Sequence, residues 1–96
     1  GPVILRQLGA SMVHRRLQVL HETYVGGGET GADLLTHEGE EAGIVIRGQI
    51  EITVGGQREV LSRGDGYYFS SRIPHRFRNI GNDECEIVSV CTPPTF

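Results

Sequence analysis

The amino-acid sequence predicts an all-β fold, a small barrel or sandwich, from three observations. Short runs alternate apolar and polar residues with period two, most cleanly Gln49-Ile50-Glu51-Ile52-Thr53-Val54. Such runs recur at spacings of roughly 8–12 residues and are parted by Gly, Asn and Asp turn signals. Fourteen glycines beside a supply of Val, Ile and Thr favour tight turns and pleated strands, and no segment carries a convincing helical period.

Residues 1–12 read as an extended N-terminal segment and residues 13–96 as the barrel. Gly1-Pro2 has the form of a dipeptide left by tag removal, and Met12 is the single methionine, so the chain reads as a fragment with function upstream of it. Val13, Arg15, Leu17 and Val19 alternate with His14, Arg16, Gln18 and Leu20, an early strand with one apolar face. His21-Glu22-Thr23-Tyr24-Val25 extends that strand or forms its neighbour. Gly26-Gly27-Gly28 lacks the Lys-Ser/Thr and helix start of a phosphate cradle and reads as a flexible turn.

From Gly43 onward the strand signals sharpen. Ile44-Val45-Ile46-Arg47 runs to Gly48, and the alternating strand at 49–54 turns at Gly55-Gly56 into Gln57–Leu61, a hairpin. Ser62-Arg63-Gly64-Asp65-Gly66 turns into Tyr67-Tyr68-Phe69, where period two puts at least one ring in the core. His75 and Phe77 are expected to face inward, with Arg76 and Arg78 outward and Asn79 a hydrogen bonder at the strand end. Ile80–Asp83 turns the chain into a last strand, Glu84–Cys91, and Thr92-Pro93-Pro94-Thr95-Phe96 follows as an extended tail.

Composition bounds the function. A chain of 96 residues is one domain. It buries only about 60–65% of its unfolded surface, a thin margin that oligomerisation would widen, and a homodimer is expected. Net charge is −3 and the nine basic residues are scattered, which excludes a phosphate-backbone-binding face on this domain. No apolar run approaches the ~18–20 residues that span a bilayer, so a cytoplasmic protein without membrane contact is expected. Cys85 and Cys91 share a strand face but stand roughly 20 Å apart along it, too far for a disulfide, and read as thiols of a reducing compartment.

The chemistry concentrates between Gly31 and Asn79. His37 and Glu41 have the same parity, so an extended strand would point both to one face, and Gly39 between them permits a bend that draws the heads together. Pro74-His75 supplies a second imidazole. If its strand lies beside the one carrying Glu41, three donors meet. Two neutral imidazoles and a carboxylate suit Fe(II), Mn(II), Ni(II) or Zn(II) and leave about three octahedral positions open. The alternative is a hydrogen-bonded polar cluster at a barrel mouth, without metal. His14 and His21 read as solvent-facing or edge residues with no evident partner. Glu38 and Glu40 read as exposed charges flanking a turn, or as an attractor for a cationic effector such as a polyamine.

These motifs resemble those of the cupins, double-stranded β-helix (jelly-roll) barrels. The first cupin motif is glycine, five residues, His-x-His, three or four residues, glutamate, six residues, glycine. Counted back from Gly48, Glu41 fills the glutamate slot and His37 the second histidine slot, while Leu35 and Glu29 replace the first histidine and the opening glycine. In the second motif Gly64, His75 and Asn79 are in register, while Ser70 and Arg72 stand for the proline and second glycine. The resemblance covers about two thirds of the chain, Gly31 to Phe96. His-x-Gly-Glu-Glu, Pro-His-Arg-Phe-Arg-Asn and the closing Thr-Pro-Pro-Thr-Phe look, more narrowly, like the C-terminal sensor domain of bacterial regulators with an XRE-type helix-turn-helix.

The resemblance implies a cupin barrel that senses a small-molecule effector, with DNA contacted only through a helix-turn-helix outside this chain. Its metal ligands would be His37, Glu41 and His75, and Tyr24, Tyr67, Phe69 and Phe77 would line the ligand pocket. The same three-ligand pattern resembles non-haem iron cupin enzymes, so a stand-alone dioxygenase or isomerase is the second reading. For that reading Tyr24, Tyr67 and Tyr68 are the candidate acid–base groups.

Overall fold

The computed structural model describes residues 2–9, 15–30 and 36–94. These form strands β1 (Val3–Leu8), β2 (Gln18–Tyr24), β3 (Glu40–Arg47), β4 (Gln49–Val54), β5 (Gln57–Ser62), β6 (Gly66–Ser70), β7 (His75–Arg78) and β8 (Cys85–Thr92). All pairs are antiparallel, in a five-stranded sheet ordered β1-β2-β8-β3-β6 and a three-stranded sheet ordered β5-β4-β7. The chain crosses between sheets after Arg47 and again after Ser62, Ser70 and Arg78, so the two inner faces share one core. No helix long and apolar enough to cross a membrane occurs among the described residues.

Period two decides which side chains enter that core. On β4, Ile50 and Ile52 are buried; on β6, Phe69; on β7, Phe77; on β8, Cys85 and Ile87. Val45 of β3 and Tyr24 of β2 complete the cluster. Rings of Phe69, Phe77 and Tyr67 lie with centroids 5.2–6.2 Å apart, Tyr67 stacked on Phe69 and edge-on to Phe77, with Phe69 tilted against Phe77. Cys85 and Cys91 are both thiols, as their spacing required, and burial pushes Cys85 up to about 11.

Two sequence expectations are corrected. The N-terminal segment is not merely extended: Val3–Leu8 is a full partner of β2, register Val3↔Tyr24 through Leu8↔Val19. Moreover β2 turns its apolar parity outward. Leu17 is exposed and Val19 only half-buried, whereas Gln18, Leu20, Glu22 and Tyr24 point in. The reason is that the interior is itself polar at this place and supplies partners for Gln18 and Glu22. Val13 and His14, which the early strand was expected to include, lie outside the described residues, as do Thr95 and Phe96 of the tail.

At the end of β7, Asn79 behaves as expected of a strand-end hydrogen bonder. Its amide nitrogen donates to the carbonyls of Tyr24 (2.9 Å) and Asp83 (2.7 Å), and its oxygen accepts from the Gly81 amide at 3.0 Å. His21, by contrast, has a partner after all, Glu86 across the β2/β8 pair at 3.0 Å.

Candidate metal centre

The ligating atoms of His37, Glu41 and His75 lie within 4.8 Å of one another, a spacing at which one ion can touch all three. They do not meet by the adjacent-strand route that the sequence suggested. Glu41 sits on β3, paired with Phe69 and Cys91, whereas β7 carries His75 in the other sheet, paired with Val54 of β4. The two strands face each other across the core. Nor does His37 share a strand with Glu41, because β3 begins only at Glu40.

Local backbone chemistry places His37. Gly39 has φ +103°, a conformation open to glycine and strained for L side chains, and a Cβ there would strike the Thr92 carbonyl and the Pro93 ring. The bend folds the 37–39 segment back on the β6–β7 turn. There the His37 amide donates to the Ser71 carbonyl and the Ser71 amide to the Gly39 carbonyl, each at 2.9 Å. Ser71 belongs to the turn that delivers Pro74 and His75, so the same two bonds tie both histidines to one frame. Their rings stand edge to face with centroids 5.1 Å apart.

The second nitrogen of each ring sets what the first can do. Nδ1 of His75 lies 2.8 Å from the Ile73 carbonyl, which can only accept, so Nδ1 carries the proton and Nε2 keeps its lone pair. Nδ1 of His37 meets the Glu38 carbonyl at 3.3 Å with the same consequence. Burial lowers His75 from its usual range, then the neighbouring His37 lowers it further, against the pull of the Ile73 carbonyl, so the ring favours the neutral form a metal requires. Phe69 packs on this ring at 4.9 Å.

Glu41 is held from the opposite side. Burial first, then the Glu22 carboxylate, pushes it up to about 7, while a hydrogen bond from Tyr67 at 3.5 Å pulls the other way. The Tyr67 phenol reaches that position by lying across Gly43, its cross-strand partner, where any Cβ would come within 2.5 Å of its oxygen. Sequence reasoning missed the residues behind this pair. Glu22 is buried on β2 and accepts hydrogen bonds from Tyr24 at 2.8 Å and from the Ser89 hydroxyl. Burial raises Glu22 despite those two bonds. The available signal was its parity with Leu20 and Tyr24 on one strand.

Of the four expected pocket residues, Tyr24, Phe69 and Phe77 are buried core members and Tyr67 is half-buried above Glu41. Tyr67 and Phe69 also line a cleft of about 240 Å³ between the open edges of the two sheets, with Ile52 of β4 and Leu61 of β5 on the other wall. A second cleft, about 260 Å³, lies outside His37 against Pro93 and Pro94. Tyr68 points away from the interior. Glu38 pairs with Arg72 at 2.6 Å, and Glu40 accepts from the Tyr68 phenol; all four of these side chains are exposed. Leu35, in the slot where other cupins carry a histidine, lies outside the described residues.

The fold agrees with the comparisons. The family profile described as Cupin domain (Cupin_2) matches residues 20–91. The chain belongs to the cupin family. It is 41% identical over 83 residues to the HTH-type transcriptional regulator PuuR of Escherichia coli (strain K12), covering 86% of this chain and 44% of that protein. An uncharacterized protein of Archaeoglobus fulgidus is 37% identical over 51 residues, 53% of this chain and 48% of its own length. This cupin thus spans about half the length of the curated relatives it matches.

Among solved structures, the Cupin_2 domain of an XRE family transcriptional regulator from Enterobacter cloacae superposes with TM-score 0.83 at 20% identity, covering 96% of this chain and 97% of that one. A cupin-superfamily sugar phosphate isomerase from Silicibacter pomeroyi gives TM-score 0.82 at 17% identity, covering 96% and 60%. At such identities the superpositions establish the cupin fold alone.

Proposed function

We propose that this cupin domain is the small-molecule-sensing part of a transcriptional regulator and that His37, Glu41 and His75 hold a divalent transition metal in it. The convergence of these three donors beside the cleft lined by Tyr67 and Phe69 carries the reading. In this reading the domain works in the cytoplasm and DNA is contacted through a helix-turn-helix domain outside this chain, a reading that the likeness to an HTH-type transcriptional regulator supports. The donor set fits the ion: two imidazoles with free Nε2 positions and one carboxylate suit Fe(II), Mn(II), Ni(II) or Zn(II). Bound there, the ion supplies a Lewis-acid position for a donor atom of the effector.

The chain's own residues do the rest. Tyr67 orients Glu41, the Ile73 carbonyl fixes the His75 tautomer, and the aromatic wall excludes water from the inner side. An effector regulates only through different affinity for two states, and the segments it would bias are 37–39 and 92–94, which meet at Gly39. The enzyme reading has less behind it. Interior groups that would move protons, Tyr67 and Glu22, are engaged with Glu41 and with Tyr24 and Ser89.

Titration of the metal-free chain with Ni(II), Zn(II), Mn(II) and anaerobic Fe(II), followed by calorimetry and thermal unfolding, tests the proposal. One equivalent is expected to bind and to raise the melting temperature in the wild type but not in His75→Ala. A metabolite panel is then expected to stabilise the loaded wild type without being consumed. Equal response of wild type and variant would overturn the metal site, and oxygen uptake by the Fe(II) form with any panel compound would favour the dioxygenase.

A further inference from the structure

A cleft lies at the end of the barrel away from the metal donors. β7 carries His75 at its start and Arg78 at its end, and Arg78 lines this cleft. Its volume is about 650 Å³, within the range of small-molecule sites. Two turns wall it, residues 25–27 and residues 80–82, and Glu29 joins Arg78 on the lining. Backbone bonds fix these walls in advance. The Gly27 amide donates to the Asn79 carbonyl at 3.0 Å, and the Asn79 amide donates to the Gly28 carbonyl at 2.8 Å. A site already formed loses little ordering entropy when it is filled.

The lining is bipolar. Glu29 and Arg78 oppose each other across an isolated antiparallel bridge, which puts both side chains on one side of the pair. They nevertheless make no ion pair. Arg78 turns to Glu51, Nη2 to Oε1 at 3.4 Å, while its own side chain stays 40% exposed. That contact leaves most of the guanidinium N–H donors unused. Among the described residues the Glu29 carboxylate has neither a hydrogen bond nor an ion pair. The Gly81 and Asn82 carbonyls add two acceptors. Each comes within 3.0 Å of where a Gly26 Cβ would sit, so glycine at that position leaves them uncovered.

The charges select the occupant. A guanidinium suits a carboxylate, and an ammonium group brings three donors and no acceptor to Glu29 and the two carbonyls. An anion alone would also face Glu29 and Glu51, and a cation alone would face Arg78. We infer that this cleft binds an amino acid, or another small molecule that carries an ammonium and a carboxylate together, with its carboxylate on Arg78 and its ammonium on Glu29 and the carbonyls of Gly81 and Asn82. Val25 and Ile80, the latter 47% exposed, offer apolar contact to the rest of the molecule. The inference is independent of the metal centre at the other end of β7.

Nuclear magnetic resonance titration of the isotope-labelled chain with each protein amino acid at millimolar concentration tests it, with chelator present to keep metal off His37, Glu41 and His75. At least one amino acid is expected to move the backbone amide signals of Gly26, Gly27 and Gly81. Its N-acetyl and methyl-ester derivatives, each short of one charge, are expected to bind the wild type at least ~10-fold more weakly, because a charge-assisted hydrogen bond is lost. Glu29→Gln is expected to weaken the parent amino acid by the same ~10-fold. Position 29 is half-buried and its carboxylate unpaired, so circular dichroism of the variant should stay native. Glu59→Gln, the same change on β5, is expected to leave the affinity unchanged. The inference is overturned if no amino acid moves those signals, if the moved signals surround His75 instead, or if the single-charge derivatives bind as tightly as the parent. Equal affinity of Glu29→Gln and wild type would overturn it too.

Discussion

Tyr67 lies across Gly43 and points its phenol at Glu41, so a missing side chain on β3 positions a donor for a carboxylate on that strand. Glycine weakens a strand by itself, and here a cross-strand ring fills the gap it leaves. Tyr67→Phe is expected to keep the packing and lose the orienting bond, with metal affinity falling about 10-fold. Gly43→Ala is expected to displace the ring instead, costing about 1–2 kcal/mol by crowding as well as the same affinity loss. Calorimetric titration beside chemical denaturation separates the two: equal affinity for Tyr67→Phe and wild type would remove Tyr67 from the site.

Gly39 is the hinge of the His37 segment. Ala there meets a disfavoured φ of +103° and collides with the Thr92 carbonyl, a backbone atom that cannot swing aside. Gly39→Ala is therefore expected to destabilise the chain by about 2–3 kcal/mol and to release His37 from the cluster. Urea unfolding and metal titration check both parts. A variant with native stability would mean that the 37–39 segment adopts another path.

The strands were largely legible in sequence, and what brings the donors together was less so. Alternation over 49–54 and the Gly55-Gly56 turn are local signals, and β4 and β5 follow them. His37, Glu41 and His75 could be picked out by spacing, yet their meeting depends on β3 and β7 facing across two sheets, a non-local fact. β2 misled for a similar reason. Its apolar parity reads as the core face, but Ser89 on β8 and Gln7 on β1 provide partners for Glu22 and Gln18, and the polar parity goes inside. Nothing in the local pattern of residues 18–24 announces those partners.

Asn79 closes the lower end of the barrel by satisfying three backbone groups from one buried amide. Asn79→Ala leaves the Tyr24 and Asp83 carbonyls and the Gly81 amide without it, and one of them is buried. A loss of about 2–3 kcal/mol is expected, without change in metal affinity, since the residue is remote from the three donors. Asn79→Asp should be little better, because an ionised carboxylate cannot donate to the two carbonyls. Denaturation midpoints of both variants against wild type give the measurement; near-native values would mean that water replaces the side chain in full.

Glu22 makes stability depend on pH. Its folded-state pKa is raised above the ordinary 4.5, so folding favours the protonated acid. The associated stability is complete below about pH 4.5, where both folded and unfolded carboxyls are protonated. It is lost as pH climbs through the higher folded value, because the unfolded chain ionises first. Glu22→Gln, which mimics the neutral acid toward Tyr24 and Ser89, removes this titration and with it the repulsion that helps raise Glu41, both in the same direction above pH 4.5, while leaving His75 and the surface groups in place. In chelator, the stability of Glu22→Gln relative to wild type is therefore expected to be flat below pH 4.5 and to rise progressively above it. Urea midpoints of both proteins at a series of pH values measure the difference. A difference independent of pH would mean that Glu22 stays charged inside the barrel, and the pairing with Ser89 and Tyr24 would have to be strong enough to hold it so.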